Sequence, residues 1–206
     1  MKCLASTLRT SLAAGALVIV AVMTMSPPAR AFDGTYAPHG GTGVSLIGNN
    51  VNFTVVEANQ TFDCKQFDLS GSVLDPDLSR PFGTSAATWD QIVASGCFNP
   101  TMGDTTFDQA STWGLAITGP EVGSVSPAAI TDVAIFVEMN ACSFNISGEM
   151  SGDFDDATGV FTPTGSTLTI SDDPAGYLCP IIGLDRGLSI QVSGPLVISG
   201  LTITNP

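Results

Sequence analysis

Positive charge is nearly missing from this chain. Six Lys and Arg stand against 19 Asp and Glu, a formal net charge of −13, and histidine occurs once, at His39. Phosphate backbones would be repelled, so nucleic acid is excluded as a partner class, and the same field opposes docking on anionic lipid. Cations and cationic polymers stay compatible with it, although an acid-rich, lysine-poor surface also serves solubility alone. A single histidine narrows the chemistry further. A Ser-His-Asp relay or a histidine-rich zinc site would have to use His39. No Gly-x-Ser-x-Gly elbow occurs, and no glycine-rich phosphate loop runs into a lysine. No cofactor is implied. Long helices are also disfavoured, because 22 Gly and 13 Pro interrupt every stretch.

What is present begins with a leader. Lys2 and Arg9 precede the apolar run Leu12 to Val22, too short to span a bilayer as a mature helix, and Ala29-Arg30-Ala31 fits the small-x-small cleavage rule. Residues 1–31 therefore read as a secretory signal peptide with cleavage after Ala31. Removal leaves three basic residues, Lys65, Arg80 and Arg186, against 19 acidic ones, a net charge of −16. No integral membrane span is expected in the mature chain. Four cysteines remain, and in an oxidising compartment an even count reads as disulfides.

The rest alternates. Val51, Phe53 and Val55; Trp113, Leu115 and Ile117; Leu188, Ile190 and Val192 all repeat with period two, the mark of strands with one buried face. The expected fold is all-β: a single sandwich or partly closed barrel of about ten strands. Gly48-Asn49-Asn50 suits a hairpin, and the Gly/Pro-rich residues 32–42, with His39, suit a flexible arm. The alternating aromatics belong to the core, except that Trp89, between Thr88 and Asp90, has weak alternation and is a candidate for exposure.

Two stretches echo one another. Cys64-Lys65-Gln66-Phe67-Asp68-Leu69-Ser70-Gly71 parallels Cys142-Ser143-Phe144-Asn145-Ile146-Ser147-Gly148, and Val56-Glu57-Ala58-Asn59 parallels Val137-Glu138-Met139-Asn140. Each copy reaches a second cysteine, Cys97 or Cys179. The all-β domain, 43–206, thus reads as an internal repeat with halves 43–119 and 120–206. One disulfide belongs to each half, Cys64–Cys97 and Cys142–Cys179. The spacing is imperfect: Cys64 lies three residues before Phe67 and Cys142 two before Phe144. One copy must therefore hold a bulge or a shifted strand start.

Chemistry is sparse. Glu57 and Glu138 occupy matching sites, and a pseudo-twofold would bring two carboxylates together as glycosidases require; solvent-facing glutamates at strand ends explain the same pattern. Asp153, Asp155 and Asp156 form a weak calcium candidate or an acidic turn. No twelve-residue calcium loop is present. Lys65, the only lysine after the leader, stands beside Cys64 and would serve an internal crosslink or simply face solvent.

Trp113-Gly114-Leu115, Cys142 to Gly148, Gly152-Asp153-Phe154, Leu168-Thr169-Ile170, Cys179 and Leu188 to Val192 resemble a recurring pattern of secreted actinobacterial β-proteins, mostly of unassigned function. The resemblance implies an exported all-β protein with paired cysteines and supplies no active site. The acidic stretch between Cys97 and Trp113 is longer than that pattern has. The resulting expectation is an exported non-catalytic protein, secreted or held in the cell envelope, its partner unknown. Three alternatives stand beside it: a glycan or apolar small-molecule binding module, a secreted carboxylate-dependent hydrolase, and an outer-envelope β-barrel.

Overall fold

The alternating segments fold as strands. The computed structural model describes residues 34–205, with twelve strands and no α-helix among them. They are β1 (Thr35–Val55), β2 (Gln60–Val73), β3 (Arg80–Pro81), β4 (Ser85–Asn99), β5 (Gly103–Gln109) and β6 (Trp113–Ile117). The chain continues through β7 (Val125–Met139), β8 (Cys142–Asp155), β9 (Val160–Ser166), β10 (Thr169–Ile170), β11 (Ile190–Ser193) and β12 (Leu196–Thr204). The leader and its cleavage site lie outside the described residues.

All named strand pairs are antiparallel, and eight strands close a ring: β1, β2, β4, β5, β7, β8, β9, β12 and back to β1. Strand β6 continues the place of β5, pairing with the other ends of β4 and β7. Residues before Val125 supply one run of neighbouring ring strands and those from Val125 onward the other. Strands β3, β10 and β11 are short additions to β1, β8 and β1.

Inward positions carry the apolar residues. Phe53 packs at a tilt against Phe67 and Phe107 with centroids 5.1 Å apart in each pair, and Phe67 meets Trp113 at 6.0 Å. Phe62 and Phe144 meet at 5.9 Å and join the two halves, 43–119 and 120–206, in one core. Such pairs contribute about 0.5–1.5 kcal/mol beyond the area they bury. A membrane barrel has the inverse arrangement, apolar outside and polar within; here outward positions are largely Ser, Thr, Asn, Gln and Asp. Among the described residues no helix is long and apolar enough to cross a membrane.

Four expectations need correction. Residues 35–42 are not a loose arm but the start of β1, with Ala37 to Gly40 paired to β12 and Tyr36 to Arg80. Their Gly and Pro content hid a strand held from both sides. Trp89 is fully buried. A register shift between Ser70 and Gly71 leaves Asp90 and Gln91 both exposed, which resets the alternation and turns Trp89 inward.

Gly48-Asn49-Asn50 makes no hairpin, because β1 runs straight through it. Asn50 spends its positive φ of 56° on a reversal of facing instead. At the same level Lys65 and Gln66 both face outward in β2, and Ser95 and Gly96 in β4, Gly96 at φ 60°. Pairing on either side keeps its register, Asn49 with Gln66 and Val51 with Cys64, Gln66 with Ser95 and Cys64 with Cys97. The extra residue before Phe67 is therefore neither a bulge nor a shifted start. Three adjacent strands swap faces together.

The echoed Ser-Gly pairs do mark bulges. Gly71 sits at the shift in β2–β4, and Gly148 opposes Val133 just past a shift in β7. A Cβ on Gly71 would lie 1.8 Å from the Thr88 carbonyl oxygen, and one on Gly148 2.6 Å from that of Thr167. Close backbone approach requires glycine at both.

Candidate functional site

Both cysteine pairs are joined, Cys64–Cys97 and Cys142–Cys179, with Cα atoms 3.9 and 5.0 Å apart. Cys64 and Cys97 are directly opposed in the β2–β4 ladder. Cys142 opens β8, whereas Cys179 stands in an irregular segment, just before the 3₁₀ turn Pro180–Ile182. All four sulfurs belong to buried residues.

The matching glutamates do different things. Glu57 lies in the four-residue turn between β1 and β2, where Oε2 accepts from the Ser189 backbone N–H at 2.9 Å and Oε1 from its hydroxyl at 2.8 Å. Its own backbone N–H, then the Ser189 hydroxyl and N–H, hold its carboxyl below the usual 4.5. The second hairpin turn is shorter, so Glu138 falls on β7, exposed, with Thr106 and Ser143 as strand neighbours. It lines a hollow of about 250 Å³ with Ser143 and Gly176. The two carboxylates share no partner and no lining, so the echo in sequence does not translate into a pair.

The acidic turn disperses its carboxylates as well. Asp155 accepts from the Ala157 N–H and the Thr158 hydroxyl, while Asp156 accepts from the Ile203 N–H at 2.7 Å and ties the turn to β12. The Ser124 side chain, then Thr158, holds Asp155 below its usual range. Asp153 is exposed on β8, opposite Pro127 and Thr162. Among the described residues no three His, Cys, Asp or Glu side chains converge as metal ligands.

His39 has partners on two sides. Its Nδ1 meets Asp77 Oδ1 at 2.5 Å and its Nε2 meets Thr204 Oγ1 at 2.8 Å. The connectivity is that of a carboxylate, imidazole and hydroxyl in series, but Asp77 is largely exposed and none of the hollows described here is lined by these residues. The contact ties the loop after β2 to β1 and β12. Lys65 lies across Gly96, within 3.0 Å of where a Cβ would stand.

Two features had no signal in the alternation. Arg80 is a buried cation whose guanidinium donates to the Ser85, Leu74 and Asp75 carbonyls and gathers the connection between β2 and β4. Tyr177 is 73 % exposed, and its chain neighbour Gly176 borders a hollow of about 400 Å³ with Asp173, Leu184 and Asp185. A larger hollow, about 570 Å³, overlies the Ser70–Gly71 bulge and is lined mainly by hydroxyls and amides, with Thr42, Ser45, Ser72, Thr88 and Gln91 among them. No family model, curated protein or solved structure matches this chain.

Proposed function

We propose that this is an exported, non-catalytic protein of the cell envelope or extracellular space, a rigid β scaffold that presents its surface to a partner. The observation that carries the reading is the pair of buried disulfides, one per echoed stretch, the bonded state that an oxidising compartment favours. The leader-like residues 1–31 and the resemblance to secreted actinobacterial proteins support it, and the dispersal of Glu57 and Glu138 speaks against a hydrolase. The test is expression with and without residues 1–31 in a secreting bacterium, followed by fractionation and non-reducing peptide mapping. Both bridges should appear only in the exported form, which should begin at Phe32. A chain that stays in the cytoplasm with free thiols and full function would overturn the reading. Glu57→Gln and Glu138→Gln should alter no turnover; hydrolysis in a glycan screen that both substitutions abolish would restore the carboxylate mechanism.

A second reading, glycan binding, is favoured by Tyr177. An exposed aromatic ring supplies a stacking face, and Asp173 and Asp185, acceptors for vicinal hydroxyls, line a hollow that its chain neighbour Gly176 also borders. A glycan array run with the wild type and Tyr177→Ala tests it: signal lost in the variant supports the site, and no signal in either rejects it.

A further inference from the structure

The wall of the ring parts at one place. Strand β9 pairs with β12 only at Val160–Val197 and Phe161–Leu196. Further along, residues 168–170 are bonded to 187–190, with the Ile190 N–H on the Leu168 carbonyl at 2.8 Å. Between these two closures β9 pairs with β8 and β11 with β1, but no ladder joins β9 to β11. Successive residues of an antiparallel strand turn their backbone groups to opposite edges. The Thr167 N–H donates to the Glu149 carbonyl on the β8 side, so Ser166 turns its backbone groups into the gap. Val192, two residues from Ile190, does the same from β11.

A hollow of about 280 Å³ covers the gap, with Thr54, Pro163, Thr164, Ser166, Gln191 and Ser193 in its lining. The chain holds 19 acidic residues, yet no lining residue is charged. The hydroxyls and the carboxamide both donate and accept.

This chemistry selects the occupant. An ion finds no counter-charge in the hollow, and a peptide terminus would bring a charge that nothing there matches. A peptide strand laid between β9 and β11 would need about 9.6 Å, two strand spacings. Cα atoms of the two strands approach within 8 Å, and the gap is closed at both ends. What fits is a small neutral molecule with a secondary amide for the strand edges and hydroxyls for the side chains. An acetamido sugar combines the two, and the Pro163 ring offers its apolar face a surface.

We infer that the gap between β9 and β11 is a binding site for a neutral N-acetylated hexosamine, its acetamido group set on the backbone edges of Ser166 and Val192. The site shares no lining residue with the hollow bordered by Asp173 and Asp185, so it stands apart from the glycan reading built on Tyr177.

The probes are N-acetylglucosamine, glucose and glucosamine, each titrated by NMR onto the mature, disulfide-bonded protein. N-acetylglucosamine should shift the amide signals of residues 164–166 and 191–193 saturably, at about millimolar concentration. Glucose, which lacks the amide, should bind about tenfold more weakly, and cationic glucosamine no better than glucose. Gln191→Ala and Ser193→Trp, the second of which fills the hollow, should each weaken N-acetylglucosamine about tenfold while melting as the wild type does. Tyr177→Ala should change the affinity by less than about twofold. Equal binding of glucose would remove the amide from the account and overturn the proposal. So would tighter binding of glucosamine, no saturable shift at these residues, or wild-type affinity in both Gln191→Ala and Ser193→Trp. Shifts confined to residues 173–185 and lost in Tyr177→Ala would overturn it as well, while leaving the Tyr177 site standing.

Discussion

The hairpins β1–β2 and β7–β8 begin from nearly the same sequence and end in different mechanical roles. In the first, Cys64 bonds Cys97 on a strand already paired to its own. In the second, Cys142 bonds Cys179 in a segment without long strands, which is otherwise fastened by Asp172 on Asn145 and by the Ser143–Ala175 backbone contacts. One bridge reinforces a ladder; the other substitutes for one. A conserved-looking spacing between two copies thus constrains which residues are bonded but not what the bond holds.

The sharpest way to break the comparison is to treat the halves as independent. Phe62–Phe144 lies across them, so Phe144→Ala should cost about 3–5 kcal/mol in a single denaturation transition. Two separate transitions would show two units rather than one core.

Next come the bridges. Sequence separations of 33 and 37 residues are nearly equal, and the chain-entropy estimate is about 3–4 kcal/mol for each. Global stability losses in Cys64→Ser with Cys97→Ser, and in Cys142→Ser with Cys179→Ser, should therefore be similar. Hydrogen exchange should separate them. Amides of residues 171–188 should lose protection only in the second variant, while the β2–β4 ladder stays protected in the first. Equal loss of protection at both places would erase the distinction.

The two bulge glycines should rank by the closeness of the backbone they meet. Gly71→Ala should cost about 2–3 kcal/mol and Gly148→Ala about 1–2 kcal/mol, read from denaturation midpoints. The reverse order would mean that the positive φ of Gly148, 138°, outweighs the closer backbone approach at Gly71.

The smallest effect concerns acid. Glu57 and Asp172 are held below their ordinary 4.5 and 3.8, Glu57 by its own N–H and Ser189, Asp172 chiefly by the Asn145 side chain. A depressed folded pKa means the folded state binds fewer protons. The stabilisation is complete above the ordinary values and lost as pH falls through the folded ones. Melting temperature should drop progressively below about pH 4.5, less steeply in Glu57→Gln and Asp172→Asn. A slope unchanged by both substitutions would refute this account.

Much of the fold was legible along the chain. Phe53, Phe67, Phe144 and Ile170 follow period two because one face of each strand is inside, and burial writes itself into alternation. Trp89 and the Gly48-Asn49-Asn50 stretch misled for a shared reason. Each sits where strands change facing, and a change of facing looks locally like a turn or an exposed site. Of the candidate site, Glu57 and Glu138 were legible as an echo but not as separate roles, because turn length moves Glu138 into β7. Arg80 and Tyr177 carried no periodic signal. The partners of Arg80 are carbonyls of residues not adjacent to it in the alternation, and Tyr177 stands out only by its exposure.

By itself the sequence determined the all-β class, the cysteine partners and the charge sign, since alternation, the internal echo that carries one cysteine pair in each copy, and composition are all written along the chain. Only the tertiary structure decided that the strands close a ring, that Glu57 clamps Ser189, and that Thr54, Pro163, Ser166 and Gln191 border one hollow. Those outcomes depend on register between strands far apart in the chain, and register is set by the cooperative packing of a shared core rather than by any single segment.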